Sequence, residues 1–206
     1  MKKITSVGKM LILNTYWVGL SFKWNALHPI ILPAVLLNYV PDTQKNTTLG
    51  LMTFIGLIIA MLVQPFSGWL SDRWVSRFGR RRPLMVIGTL FDFAFLAILG
   101  WGGGLTWLFI GYIGLQFSSN IAHGPAQGLL PDRVAPEKLG LASAVKTLMD
   151  MAALIVASLA AGNLLDPSGR DPSLVLLVVM AVMFVSTLIT ILFTPEEPTT
   201  AESIRQ

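Results

Sequence analysis

The sequence predicts an all-α membrane protein: six transmembrane helices in an inverted 3+3 repeat, with both termini cytoplasmic. Three observations predict it. Of 206 residues, 53% are hydrophobic and only 13% charged, where a soluble domain carries about a quarter charged residues. Apolar runs close to the roughly 20 residues that a bilayer core requires recur at 10–37, 47–71, 83–101, 105–130, 138–164 and 173–193. The cations gather in alternate breaks between those runs.

The first run follows Met1-Lys2-Lys3 and is too long for the 7–15-residue apolar core of a signal peptide, so it reads as a retained helix. Asn38-Tyr39-Val40-Pro41-Asp42 ends it. The second run enters a charged knot at Gly68, Asp72 and Arg73, then Gly79, Arg80, Arg81 and Arg82; such a knot between two apolar runs is the turn of a helical hairpin. Gly102-Gly103-Gly104 separates the third run from the fourth, and Pro131-Asp132-Arg133 with Pro136-Glu137-Lys138 separates the fourth from the fifth. Ala153, Ala157 and Ala161 give the fifth a seam for close helix packing. A Pro- and Asp-rich turn at 166–172 precedes the sixth, and from Thr194 the chain reads as a polar, mobile cytoplasmic tail.

With the N-terminus inside, the inner segments hold Lys2, Lys3, Lys9, Arg73, Arg77, Arg80, Arg81, Arg82, Arg133, Lys138 and Arg205, and the outer loops only Lys45 and Arg170. That asymmetry orients the chain. It also accounts for the formal charge of +4, so no nucleic-acid partner is expected. Cysteine is absent, which removes disulfides and thiolate metal sites. Phosphate-loop, zinc-protease and serine-nucleophile motifs are missing too; neither enzyme activity nor a cofactor is expected.

An internal repeat is visible. Gly19, Leu20, Phe22, Asn25 and His28 recur as Gly114, Leu115, Phe117, Asn120 and His123, 95 residues on (114 − 19). Gly68, Leu70 and Asp72 recur as Gly162, Leu164 and Asp166, 94 residues on (162 − 68). Copies three helices apart point opposite ways across the bilayer, which is the inverted repeat of transporter halves.

Asn25 and His28 on the first helix, and Gln116, Asn120, His123 and Gln127 on the fourth, form two polar faces at helical spacing. Polar groups at bilayer depth must face protein or water. The faces are expected to line a solute cavity; interhelical hydrogen bonding is the alternative. Pro29, Pro33, Gly124 and Pro125 are expected to break helical hydrogen bonds beside both histidines. Two histidines without a carboxylate cluster make no metal site. Lys23, Asp92, Lys146 and Asp150 lie within the apolar runs. Lys23 is expected to meet Asp92 or Asp150, and Lys146 and Asp150 form an i,i+4 couple. These four are either structural ion pairs or the groups that carry a coupling proton, Asp150 foremost.

The string Gly68-x-Leu70-Ser71-Asp72-Arg73, then Gly79-Arg80-Arg81-Arg82, resembles the signature loop of the major facilitator superfamily. With Gln64-Pro65 before it, Arg77-Phe78 within it, Pro83 after it and Pro125-Ala126-Gln127-Gly128-Leu129-Leu130-Pro131-Asp132 further on, it is similar to the glycoside–pentoside–hexuronide:cation symporter group, which includes plant sucrose carriers. Five residues, 74–78, separate Arg73 from Gly79, a longer spacing than the common superfamily loop. The resemblance implies a conformational latch in which Asp72 is held by Arg73, Arg80, Arg81 and Arg82, with Asp132 as a further mate, and Gly68 and Gly79 in the motif. It implies cation- or proton-coupled movement of a sugar or other small solute by alternating access. Carriers of this kind have two six-helix halves, and this sequence matches one. A fragment, a truncated product or a half that pairs with itself or another chain is expected, in contact with membrane lipid, solute and coupling ion. A non-transporting scaffold or assembly subunit of the same fold is the alternative.

Overall fold

The computed structural model describes residues 3–166, 171–194, 196, 198 and 199. α1 (Val7–Ala26) passes into a π-helical turn (Leu27–Ile31) and then α2 (Leu32–Leu36), so one rod covers the first apolar run. α3 spans Asp42–Asp72, α4 Arg82–Trp101, α5 Leu105–Arg133, α6 Leu139–Leu164 and α7 Ser173–Phe193. A 3-10 turn, Pro136–Lys138, leads into α6. Lys2, Arg170 and Arg205, which entered the charge asymmetry, lie outside the described residues, as do Pro167, Ser168, Gly169 and most of the tail.

The fold is all-helical, and four stretches are long and apolar enough to cross a membrane: Asp42–Asp72, Arg82–Trp101, Pro136–Leu164 and Ser173–Phe193. α1 and α5 are not among them. Both turn polar side chains into the bundle: Asn14 and Lys23 from α1, and Gln116, Ser118, Ser119 and Asn120 from α5, are all buried. Inward polarity lowers a helix's hydropathy without exposing those groups to lipid.

Several boundaries differ from the sequence pattern. α3 starts at Asp42, ahead of the apolar run, because Pro41 leads into it and Asp42 complements the first-turn dipole while pairing with Lys45 at 3.0 Å. α5 continues through Pro125 and Pro131 to Arg133, so the expected break beside His123 is absent. Gly124 serves a different purpose there: a Cβ would collide with Ser67 and the Gln64–Gly68 backbone, so the residue permits α3 and α5 to cross closely. Beside His28 the helix does depart from α geometry, as the π turn containing His28 and Pro29. The tail is polar, yet Thr194 is buried and Glu196 docks on the bundle, correcting the expectation of a mobile segment at those two residues.

α5 packs between α3 and α4, α1 packs between α6 and α7, and α4 also meets α7. Ala153, Ala157 and Ala161 are buried, and their small side chains let α6 approach its neighbour closely. Two apolar clusters result. One gathers Met10, Leu13, Tyr16, Leu20, Met85 and Ala122 near the arginine-bearing end; the other gathers Leu27, Ile31, Leu96, Leu99, Leu108 and Leu115 beyond it. On α1, α4 and α5 alike, the residues between the clusters are polar: Lys23, Asp92, and Ser118 with Ser119.

Candidate functional site

That polar layer is an ion pair. Lys23 Nζ lies 2.6 Å from Asp92 Oδ2, with the two side chains 0% and 1% exposed. Ser119 Oγ donates to the carboxylate at 2.8 and 3.0 Å, Ser118 also donates to it, and Lys23 donates to Ser119 as well. Every strong acceptor of the buried carboxylate is thereby used, as a charge at this depth demands. Of the two partners open to Lys23, Asp92 is the one it meets.

The second pair is different. Lys146 Nζ lies 2.8 Å from Asp150 Oδ2, and 28% and 26% of the two side chains remain exposed. They stand on the wall of a cavity of about 580 Å³, between α1, α5 and α6, which Ser21, Asn25, His123 and Gln127 also line. Ser21 Oγ donates to Asp150 Oδ1 at 2.7 Å. Lys146 Nζ sits 3.9 Å from the Trp17 ring centroid, and the His123 ring meets the same indole edge-on at 5.0 Å. Gln127 Nε2 and His123 Nε2 are 3.0 Å apart. Trp17 therefore organises both a cation and a histidine.

The six expected solute-contacting residues do not share one cavity. His28 and Gln116 line another, of about 640 Å³, with Thr53, Phe54 and Tyr112. The Tyr112 hydroxyl accepts from Gln116 Nε2 at 2.8 Å and lies 3.1 Å from His28 Nε2. Trp24, which lines the first cavity, stacks on His28 with ring centroids 4.7 Å apart. Asn120 lines neither. It is 5% exposed, donates its amide to the Gln116 carbonyl at 2.6 Å and accepts Ser67 Oγ on its own carbonyl at 2.8 Å, so it belongs to the α3–α5 seam. Trp17 and Tyr112 escaped the sequence reading, although Tyr112 is one helical turn from Gln116, which did not.

At the arginine-bearing end, Arg81 holds two carboxylates: Asp72 at 2.7 Å and Asp132 at 2.9 Å. Arg80 meets Asp132 at 2.8 Å, and Ser71 Oγ donates to the Arg80 carbonyl at 3.1 Å. Gly79 supplies the left-handed backbone of the turn, φ 90°; Gly68 lies against Gly124. Two arginines depart from the expected acidic partners. Arg73 stacks on Trp69 at 4.5 Å, one turn back on the same helix, and Arg82 donates to the carbonyls of Ile191 and Thr194, capping the end of α7. Glu196 accepts the backbone N–H of Arg81 at 2.9 Å and of Arg82 at 3.5 Å, at the α4 N-terminus. Burial pushes the Glu196 carboxyl above its ordinary value, against the pull of those amides and guanidinium groups. One glutamate among the three in a polar tail carries no signal that would reveal this from sequence.

The family model of the Major Facilitator Superfamily matches residues 18–206. The chain belongs to that superfamily. It is similar to the sucrose transport protein SUC3 of Arabidopsis thaliana, 26% identical over 166 residues, covering 69% of this chain and 27% of that protein. The uncharacterized symporter YnaJ of Bacillus subtilis (strain 168) is 33% identical over 135 residues, 59% of this chain and 29% of its own length. The chain thus spans less than a third of these curated relatives. Its fold matches the POT family transporter PepTSo with a TM-score of 0.67 at 18% identity, over 96% of this chain and 40% of that one. The superfamily member described here is a multi-pass membrane protein of the sucrose-carrier-like branch, whose relatives are transporters rather than enzymes.

Proposed function

We propose that this chain is one six-span half of a secondary carrier that moves a sugar or other small polar solute together with a proton, by alternating access. The observation that carries the proposal is the partly exposed Lys146–Asp150 pair on the wall of a polar cavity between α1, α5 and α6. An ionisable pair at membrane depth and open to a cavity is the usual mark of an ion pathway. In this reading Ser21, Asn25, His123 and Gln127 contact solute, while His28, Tyr112 and Gln116 line the same path nearer the opposite face. Asp150 exchanges the proton, and Lys23 with Asp92 pins the helices.

The rod of α1 and α2, and α5, complete the six spans. The packing supports an inverted repeat: α1 lies between α6 and α7 as α5 lies between α3 and α4. The equivalent Gly19 and Gly114 both stand where a Cβ would collide with the neighbouring helix, α7 or α4. Cytoplasmic termini are supported by Lys3, whose Nζ donates to the Asp132 carbonyl at 2.7 Å, so the N-terminal segment joins the arginine cluster. Asp72, Arg80, Arg81, Arg82 and Asp132 would then latch the cytoplasmic side. Exposed apolar faces on α3 (Leu57, Met61, Leu62) and α6 (Leu148, Ile155, Leu159) suit a second half, either another copy or a separate chain.

Uptake of labelled sucrose into proteoliposomes, with and without an inward proton gradient, tests this. Gradient-driven uptake by the chain with itself or a second half supports it. Folded protein that gives no uptake in either pairing would leave the scaffold role.

A further inference from the structure

Lys146 is held from two sides, by Asp150 Oδ2 at 2.8 Å and by the face of Trp17 at 3.9 Å. The other Asp150 oxygen accepts Ser21 Oγ, and the amides of Asn25 and Gln127 line the same cavity. A carboxylate, a hydroxyl and amide oxygens are the donors that hard cations select. Here the cation beside them is a side-chain ammonium.

We propose that Lys146 is a tethered cation occupying what is otherwise an alkali-metal site at Asp150, and that it thereby restricts the coupling ion to the proton. The occupancy stands on geometry alone; the consequence for coupling rests on the carrier reading above. Among the described residues, Asp150 is the only carboxylate lining the cavity. Lys146 faces it from α6 and His123 from α5, while α1 contributes Trp17, Ser21 and Asn25, none of them charged. Lys23 is engaged with Asp92 elsewhere. A sodium ion needs several oxygen ligands at once, and here the ammonium already holds Asp150 Oδ2 while Ser21 Oγ holds Oδ1. A proton adds to a carboxylate oxygen and leaves a neutral acid, with the ammonium retained over Trp17. Either ion leaves the pair with one net positive charge, so selectivity follows from coordination space: the ammonium fills the position that sodium needs, and a proton needs none.

Equilibrium binding of radiolabelled sodium to the full chain in lipid nanodiscs tests the site without requiring solute flux. The parent and Lys146→Arg should show no saturable binding. Lys146→Met should bind saturably, roughly tenfold or more above the parent, the scale on which an intramembrane charge prefers a partner, and adding Asp150→Asn should abolish it. Sodium binding by the parent that Asp150→Asn removes would overturn the proposal. So would its absence from a Lys146→Met or Lys146→Gln chain that keeps the parent's circular dichroism. If neither variant folds, the parent still decides: the infrared carboxyl band lost in Asp150→Asn must titrate identically in sodium and in choline, and a sodium-dependent shift refutes the idea. A variant that gains sodium binding while the parent moves no sugar would refute the carrier and keep the site.

Discussion

Two lysine–aspartate pairs meet α1, and they differ in everything except composition. Lys23–Asp92 joins α1 to α4, is fully enclosed, and spends its remaining hydrogen bonds on Ser118 and Ser119 from α5. Lys146–Asp150 lies along α6, reaches α1 only through Ser21 and Trp17, and keeps about a quarter of each side chain exposed to a cavity. A charge that water cannot reach must have fixed partners, so the first pair specifies how three helices pack. A charge at a cavity wall can change partners or take up a proton without opening the bundle. The difference lies in what surrounds each pair.

The largest expected effect breaks the enclosed pair on one side. Asp92→Ala leaves Lys23 buried and uncompensated and should cost about 3–5 kcal/mol in unfolding free energy, measured by thermal or denaturant unfolding in detergent. Replacing both partners, Lys23→Met with Asp92→Leu, should recover most of that loss, because an apolar pair of similar volume removes the stranded charge. Arg81→Ala should come next. It releases Asp72 and leaves Asp132 to Arg80 alone, and should cost about 2 kcal/mol, read in the same assay. Asp150→Asn should shift stability by less than about 1 kcal/mol, as for other partly exposed pairs, while gradient-driven uptake disappears. A stability loss on the Asp92 scale would erase the distinction between the pairs.

The smallest effect concerns Glu196 and depends on pH. Because burial raises its carboxyl above the ordinary value, the folded chain holds that proton more tightly than the unfolded chain. Its contribution to stability is therefore fullest below the ordinary carboxyl pKa and is lost as pH rises through the raised value. Glu196→Gln, which still offers an oxygen to the Arg81 amide, should flatten this part of the melting-temperature profile above the ordinary carboxyl pKa.

Much of this was legible in the sequence because membrane depth makes polarity expensive. Lys23 had to find Asp92 or Asp150, and the run of arginines had to sit at one end. The divided cavities were not legible. Helical spacing puts Asn25 and His28 on one face, but the π turn over Leu27–Ile31 starts between them, contains His28 and carries it to Tyr112. Asn120 has the composition of a cavity residue and the surroundings of a packing one, since Ser67 and the Gln116 carbonyl claim its polar atoms. Spacing along a single helix does not reveal which neighbour covers a given face. The docking of Glu196 depends on a contact more than a hundred residues away in sequence, between Glu196 and Arg81, which no local pattern encodes.

Gradient-driven sugar uptake by the two apolar pair replacements, Lys23→Met/Asp92→Leu and Lys146→Met/Asp150→Leu, tests the central contrast most directly. Retained uptake in the first and none in a folded second is the predicted result. Uptake surviving loss of the cavity pair, or vanishing from a folded protein that lacks only the enclosed one, would contradict it.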